Sequence, residues 1–207
     1  MMTTTSVSRR GLFFAVEGID GAGTTTFTNL LVDTLHQMGV PAIRTAEPST
    51  GPVGRLLRDF LRAQDTPDTA LYALLFAADR RHHWLSEIQP ALDAGTWVIT
   101  DRYVLSSLAY QGIEEDPAWV ATLNARAPLP SLIFLLDVSV ETAQARIHGR
   151  NAPRENLEHA QFQEKVAVRY RELAQSFGAS VIVLDASLSP VQLVRLAISE
   201  ISARGFF

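Results

Sequence analysis

The sequence predicts an α/β domain in three layers: a five-stranded parallel sheet flanked by helices on both faces. Two observations predict it. Four short apolar runs bounded by turn residues read as buried strands: Leu12–Val16, Trp97–Thr100, Leu132–Val138 and Val181–Leu184. A weaker fifth run is Ala42–Thr45. The stretches between these runs carry helical periodicity, and such alternation calls for crossover helices over a parallel sheet. At 207 residues, 47% hydrophobic and 19% charged, the chain can bury a substantial core.

Composition also excludes. The net charge of −4 argues against a broad basic surface for nucleic acid, though not against a local anion site. Cysteine is absent, so disulfides, iron–sulfur clusters and thiolate zinc sites are ruled out. No apolar run approaches the roughly 18 residues of a membrane span. The basic residues number 18, yet Lys165 is the one lysine. A codon bias toward arginine would account for Lys→Arg exchanges.

Taken in order, residues 1–10 are polar and read as a disordered leader, with one domain over 11–207. Ser8-Arg9-Arg10 faintly imitates a twin-arginine export signal. The apolar run after it ends at Glu17, after about five residues, too short for a signal core. A buried first strand and a cytoplasmic location are the expectation. Next comes Glu17-Gly18-Ile19-Asp20-Gly21-Ala22-Gly23-Thr24-Thr25-Thr26, then a helical run through Met38. Strand, glycine-rich turn and helix form the context of a phosphate-binding P-loop. Gly18 and Gly23 have the required spacing, and Thr25 supplies a hydroxyl for Mg²⁺. The lysine of that motif is missing: Thr24 stands in its place. A glycine-rich turn without nucleotide is the competing reading.

From Asp68 to Ala94, Leu71, Leu74, Leu75, Ala78, Leu85, Ile88 and Leu92 fall on one stripe at about 100° per residue, which predicts the core face of a helix. Phe76 and Arg80 then lie roughly 140° and 180° from Leu71, on the opposite face. An aromatic beside an arginine there fits a flat ligand with an anionic or carbonyl group, or a second packing surface such as a dimer contact. The third strand runs into Asp101-Arg102-Tyr103. At the carboxyl end of a parallel strand, Asp101 and Arg102 fit a metal–water shell and an acceptor phosphate, or a structural ion pair. Asp116-Pro117 and Ala127–Pro130 punctuate loops.

The chain resembles the thymidylate kinase family of P-loop nucleoside monophosphate kinases. The matching pieces are Glu17–Thr26, Glu47-Pro48, Leu75-Phe76-Ala77-Ala78-Asp79-Arg80, Asp101-Arg102-Tyr103 through Tyr110-Gln111-Gly112, and Leu135-Leu136-Asp137-Val138. The resemblance implies a P-loop kinase fold, phosphoryl transfer from ATP to dTMP with Mg²⁺, and a homodimer. It implies an ATP site on Gly18, Gly21, Ala22, Gly23, Thr24, Thr25 and Thr26, with Thr25 and Asp101 near the metal. It implies that Phe76 stacks on thymine, Arg80 bonds the base's carbonyl edge, and Asp20 meets the sugar hydroxyl. Arg102 and Arg58 would hold the acceptor phosphate, and Pro48, Ser107, Tyr110 and Gln111 would line the thymidine pocket. Residues 147–156 resemble a lid, whose Arg150 and Arg154 would act on the transferring phosphoryl group. The alternative for that segment is a solvated arginine-rich loop.

Two departures remove positive charge near the phosphates. Thr24 replaces the lysine, and Ala46 replaces the arginine usual before Glu-Pro. They leave open a catalytically silent nucleotide-binding relative, or a kinase with another deoxynucleotide or nucleoside as acceptor.

Overall fold

The computed structural model describes residues 10–63, 68–148 and 157–207. The leader before Arg10, and the lid arginines Arg150 and Arg154, lie outside the described residues. Five strands form one parallel sheet: β1 (Phe13–Gly18), β2 (Ala42–Ala46), β3 (Trp97–Asp101), β4 (Leu132–Asp137) and β5 (Val181–Asp185), in the spatial order β2-β3-β1-β4-β5. The three-layer α/β expectation holds. β1 is buried along its whole length because it pairs on both sides, Phe14 with Ile99 of β3 and with Leu132 of β4. Its Phe14, with Phe27 and Phe134, forms part of the buried core.

The helices are α1 (Thr24–Gln37), α2 (Pro52–Ala63), α3 (Thr69–His83), α4 (Gln89–Asp93), α5 (Val104–Tyr110), α6 (Pro117–Asn124), α7 (Val140–His148), α8 (Leu157–Phe177) and α9 (Pro190–Ala203). Local chemistry fixes several starts. Asp68 accepts from the Ala70 N–H, Asp116 from the Ala118 N–H before Pro117, and Ser189 forms a capping box with Gln192. The switch between β1 and β3 leaves a crevice at the carboxyl ends of the strands, where an open parallel sheet binds ligands.

One expectation is inverted. Leu71, Leu74, Ala78 and Leu85 face outward, with Leu74 48% and Leu85 52% exposed. The face of α3 turned to the protein carries Ala73, Asp79, Arg80 and His83. Ile88 and Leu92 are nonetheless buried. The reason is a π-helical turn over Trp84–Ile88, where the Gln89 N–H reaches the Trp84 carbonyl five residues back. Pro90 has no N–H for the helical bond to Ser86, so the turn widens there. One extra residue shifts the phase by roughly 100°, and a single stripe cannot run across it.

Candidate active site

The glycine-rich turn joins β1 to α1. Gly23 caps the helix with φ 95°, and Gly21 has φ 83°. A Cβ on Gly21 would lie 2.3 Å from the Ala143 carbonyl of α7, so this position admits only glycine. The first turn of α1 offers the N–H groups of Thr24, Thr25 and Thr26 without helical partners, at the positive end of the helix dipole. Gly21, Gly23, Thr24 and Thr25 line a cleft of about 320 Å³ with Asp20, Ala46, Glu47, Asp101 and Arg102. Gly18, Ala22 and Thr26 do not line it. Gly18 instead lets β1 approach the Leu136 carbonyl, and the Ala22 N–H bonds the Ile19 carbonyl within the turn. The Thr24 side chain is nearly buried and turns its Cγ2 methyl toward Gly18.

Thr25 and Asp101 meet as expected. The Thr25 hydroxyl donates to Asp101 Oδ2 at 2.5 Å. Two hard oxygen donors at the start of a P-loop helix suit Mg²⁺. Among the described residues no group of three or more His, Cys, Asp or Glu side chains is placed to hold a metal by itself.

Asp101 and Arg102 do not pair with each other. Arg102 turns away, with φ 71° in the left-handed region. Its guanidinium donates to Asp20 Oδ1 at 2.6 Å and to the Gly18 carbonyl at 2.9 Å. It also lies over the Tyr110 ring, 5.3 Å from its centre. Burial works against its charge, but Tyr110, Tyr170, Asp20 and Glu17 outweigh burial and raise its pKa. Glu17 anchors this corner from below. Its carboxylate accepts from the Tyr103 N–H at 3.0 Å, the Ser106 hydroxyl at 2.5 Å and the Tyr170 hydroxyl at 3.1 Å. Burial pushes the Glu17 carboxyl up; its bond from Ser106 and the charge of Arg102 oppose that.

A second cavity, of about 430 Å³, opens beside the cleft. Asp20, Pro48, Phe76, Arg80, Arg102, Ser107, Tyr110 and Gln111 all line it, so eight of the nine residues expected at the nucleoside are brought together. The ninth, Arg58, lines neither cavity; it donates to the Pro48 and Ser49 carbonyls and braces the loop carrying Pro48.

Arg80 is 2% exposed and heavily committed. Its terminal nitrogens bond Asn124 Oδ1, Ser107 Oγ at 3.1 Å and the Tyr103 carbonyl at 2.9 Å, and pair with Glu47 at 2.7 Å. Its Nε has no partner. Neither do the buried hydroxyls of Tyr103 and Tyr110, nor the Oε1 atoms of Gln111 and Gln163. All five belong to residues lining this cavity. Buried polar groups are seldom left unpaired, so such a cluster marks where a polar, largely planar ligand sits. Burial pushes the Tyr110 phenol up to about 12, which keeps it a neutral donor.

Several participants carried no sequence signal. Gln163 donates to Asp20 Oδ2 at 3.1 Å from α8, and Phe162 and Tyr170 come from the same helix. Arg146 of α7 donates to the carbonyls of Ala22 and Ala186, tying the P-loop to the loop after β5. Glu47 was legible as part of Glu47-Pro48, and it lines both cavities.

Comparison with known proteins agrees with this geometry. A family model described as thymidylate kinase matches residues 16–198. Relatives whose names carry the words thymidylate kinase match most of the chain. One from Aeropyrum pernix is 41% identical, covering 83% of this chain and 84% of its own. One from Pyrobaculum aerophilum is 39% identical over 87% and 91%, and one from Pyrobaculum calidifontis 42% identical over 83% and 86%. With its parallel sheet, its P-loop cleft and the nucleoside-sized cavity beside it, the chain belongs to the thymidylate kinase family of phosphotransferases.

Proposed function

We propose that this chain transfers the γ-phosphoryl group of ATP to dTMP, giving dTDP and ADP. One observation carries the reading: Asp20, Glu47 and Arg102 line both the P-loop cleft and the cavity beside it. A base held among Phe76, Arg80 and Tyr110, and a triphosphate held on the first turn of α1, therefore meet at Arg102. No nucleophile on the protein is required. A dTMP phosphate oxygen attacks the γ-phosphorus, a new P–O bond forms, and the bond to the β–γ bridging oxygen breaks. The chain's own residues position the reactants and neutralise charge. Thr25 and Asp101 would hold Mg²⁺, which when bound offsets the charge of the donor phosphates. Arg150 and Arg154 belong to the proposal as lid arginines, and a cytoplasmic setting follows from two soluble nucleotide substrates. The comparisons do not favour the alternatives of a silent relative or another acceptor.

The acceptor is tested by offering dTMP, dUMP, thymidine and dGMP with ATP and comparing kcat/KM. The highest value is expected for dTMP, with thymidine at least about 10²-fold lower because it leaves Arg102 without a phosphate. A preference for thymidine or for the purine would overturn the assignment.

A homodimer belongs to the same reading. The outward stripe of α3, with Leu71, Leu74 and Ala78, continued by Leu85 of the π turn that follows, is an apolar face of the kind that marks a protein contact. Light scattering should give twice the chain mass. Leu74→Glu with Leu85→Glu should give a folded monomer; a monomeric parent chain would refute the dimer.

A further inference from the structure

We propose that Arg44 is a phosphate-binding residue that supplies, at the donor phosphates, charge that Thr24 does not. This rests on the reading of the P-loop cleft as the ATP site. The cleft is short of positive charge. Its described walls hold three carboxylates, Asp20, Glu47 and Asp101, against one guanidinium, Arg102, which is already bonded to Asp20 and the Gly18 carbonyl. A nucleoside triphosphate cannot settle there without further cations.

Arg44 is placed to be one. It lies in β2 two residues before Ala46, and the two-residue period of a strand puts both on one face. Ala46 pairs with Asp101 across the sheet and lines the cleft. The Arg44 guanidinium sits 3.8 Å from Asp101 Oδ2, the oxygen that accepts the Thr25 hydroxyl. It is therefore one carboxylate away from the first turn of α1. The side chain is 37% exposed, and among the described residues Asp101 is its one ion-pair partner, held loosely, so it can turn onto an incoming phosphate. The other described arginines near the site are differently engaged. Arg58 holds the Pro48 and Ser49 carbonyls, Arg146 holds those of Ala22 and Ala186, and Arg80 is buried against Glu47. A phosphate-binding guanidinium thus comes from the middle of β2 rather than from the P-loop itself. Removing it costs twice, because the loss of its charge also leaves Asp101 unscreened against the phosphates.

The test is ATP affinity of the intact protein, measured by calorimetry in EDTA so that no metal contributes, with dTMP affinity alongside. Arg44→Ala is expected to weaken ATP about 10-fold or more and to leave dTMP binding within about twofold. Arg44→Lys should recover part of the loss. In the Arg44→Ala background, Thr24→Lys should restore ATP affinity and turnover, because it returns charge to the same phosphates. Unchanged ATP binding in Arg44→Ala would overturn the proposal, as would equal losses for ATP and dTMP. Failure of the parent chain to bind ATP would instead overturn the reading of the cleft. Arg44→Gln, which keeps the stem and removes the charge, should reproduce the alanine result; parent-like ATP affinity would refute a role for charge.

Discussion

Arg102→Ala is expected to lower dTMP-dependent turnover by about 10²–10³-fold. The guanidinium stands where the two cavities join, fixed by Asp20, the Gly18 carbonyl and the Tyr110 ring. Charge placed in advance at the point of transfer needs no rearrangement during the reaction, and its loss therefore appears mainly in kcat. Arg102→Lys should not rescue it. A single ammonium cannot bond Asp20, the Gly18 carbonyl and a phosphate with one planar fork. Alanine and lysine carry the same Cβ as arginine, so the left-handed backbone at residue 102 strains parent and variants alike and the comparison isolates the side chain. Steady-state kinetics with varied dTMP and varied ATP checks this. Turnover within threefold of the parent in Arg102→Ala would remove Arg102 from the chemistry.

The second large effect falls on the fold as well as on the base. Arg80 and Glu47 are both 2% exposed at their side chains and pair at 2.7 Å. Arg80→Met leaves the Glu47 carboxylate buried, with His83 Nδ1 at 3.3 Å as its remaining side-chain hydrogen-bond partner among the described residues. Breaking one side of a buried ion pair costs about 3–5 kcal/mol. The urea midpoint should fall accordingly, and the KM for dTMP should rise. Arg80→Met with Glu47→Leu should regain much of the stability without regaining dTMP affinity, since an apolar pair can replace a buried ionic one. A single Arg80→Met variant that unfolds at the parent midpoint would contradict the pairing.

How far this was legible in the sequence depends on the range of the interaction. The strands were readable because each is a short apolar run between turn residues, and the structure shifts their ends by only a residue or two. The P-loop and the Asp101-Arg102-Tyr103 segment were readable because backbone approach and strand-end geometry tie those residue types to fixed spacings. The spacing of Phe76 and Arg80 left a ligand face and a second packing surface both open; the resemblance assigned them to the base, and both line the cavity, while the leucine core stripe drawn from the same spacing fails. That argument assumed one continuous α-helix, and the π turn at Trp84–Ile88 breaks its phase. The Glu17–Ser106–Tyr170 anchor and the Gln163–Asp20 bond join residues far apart in the chain, and no local pattern encodes such partners. Arg44 was hidden differently. An arginine in a weak edge strand carries no motif, and only the register that sets Ala46 against Asp101 shows where it points.

The central claim is that a site lacking the P-loop lysine still carries out the transfer. ADP release by the pure protein, followed in a coupled assay with ATP and Mg²⁺ before and after adding dTMP, tests it most directly. The expected result is ADP formation that begins on addition of dTMP and saturates with it. The absence of dTMP-dependent ADP, in a sample that binds both nucleotides, would contradict it.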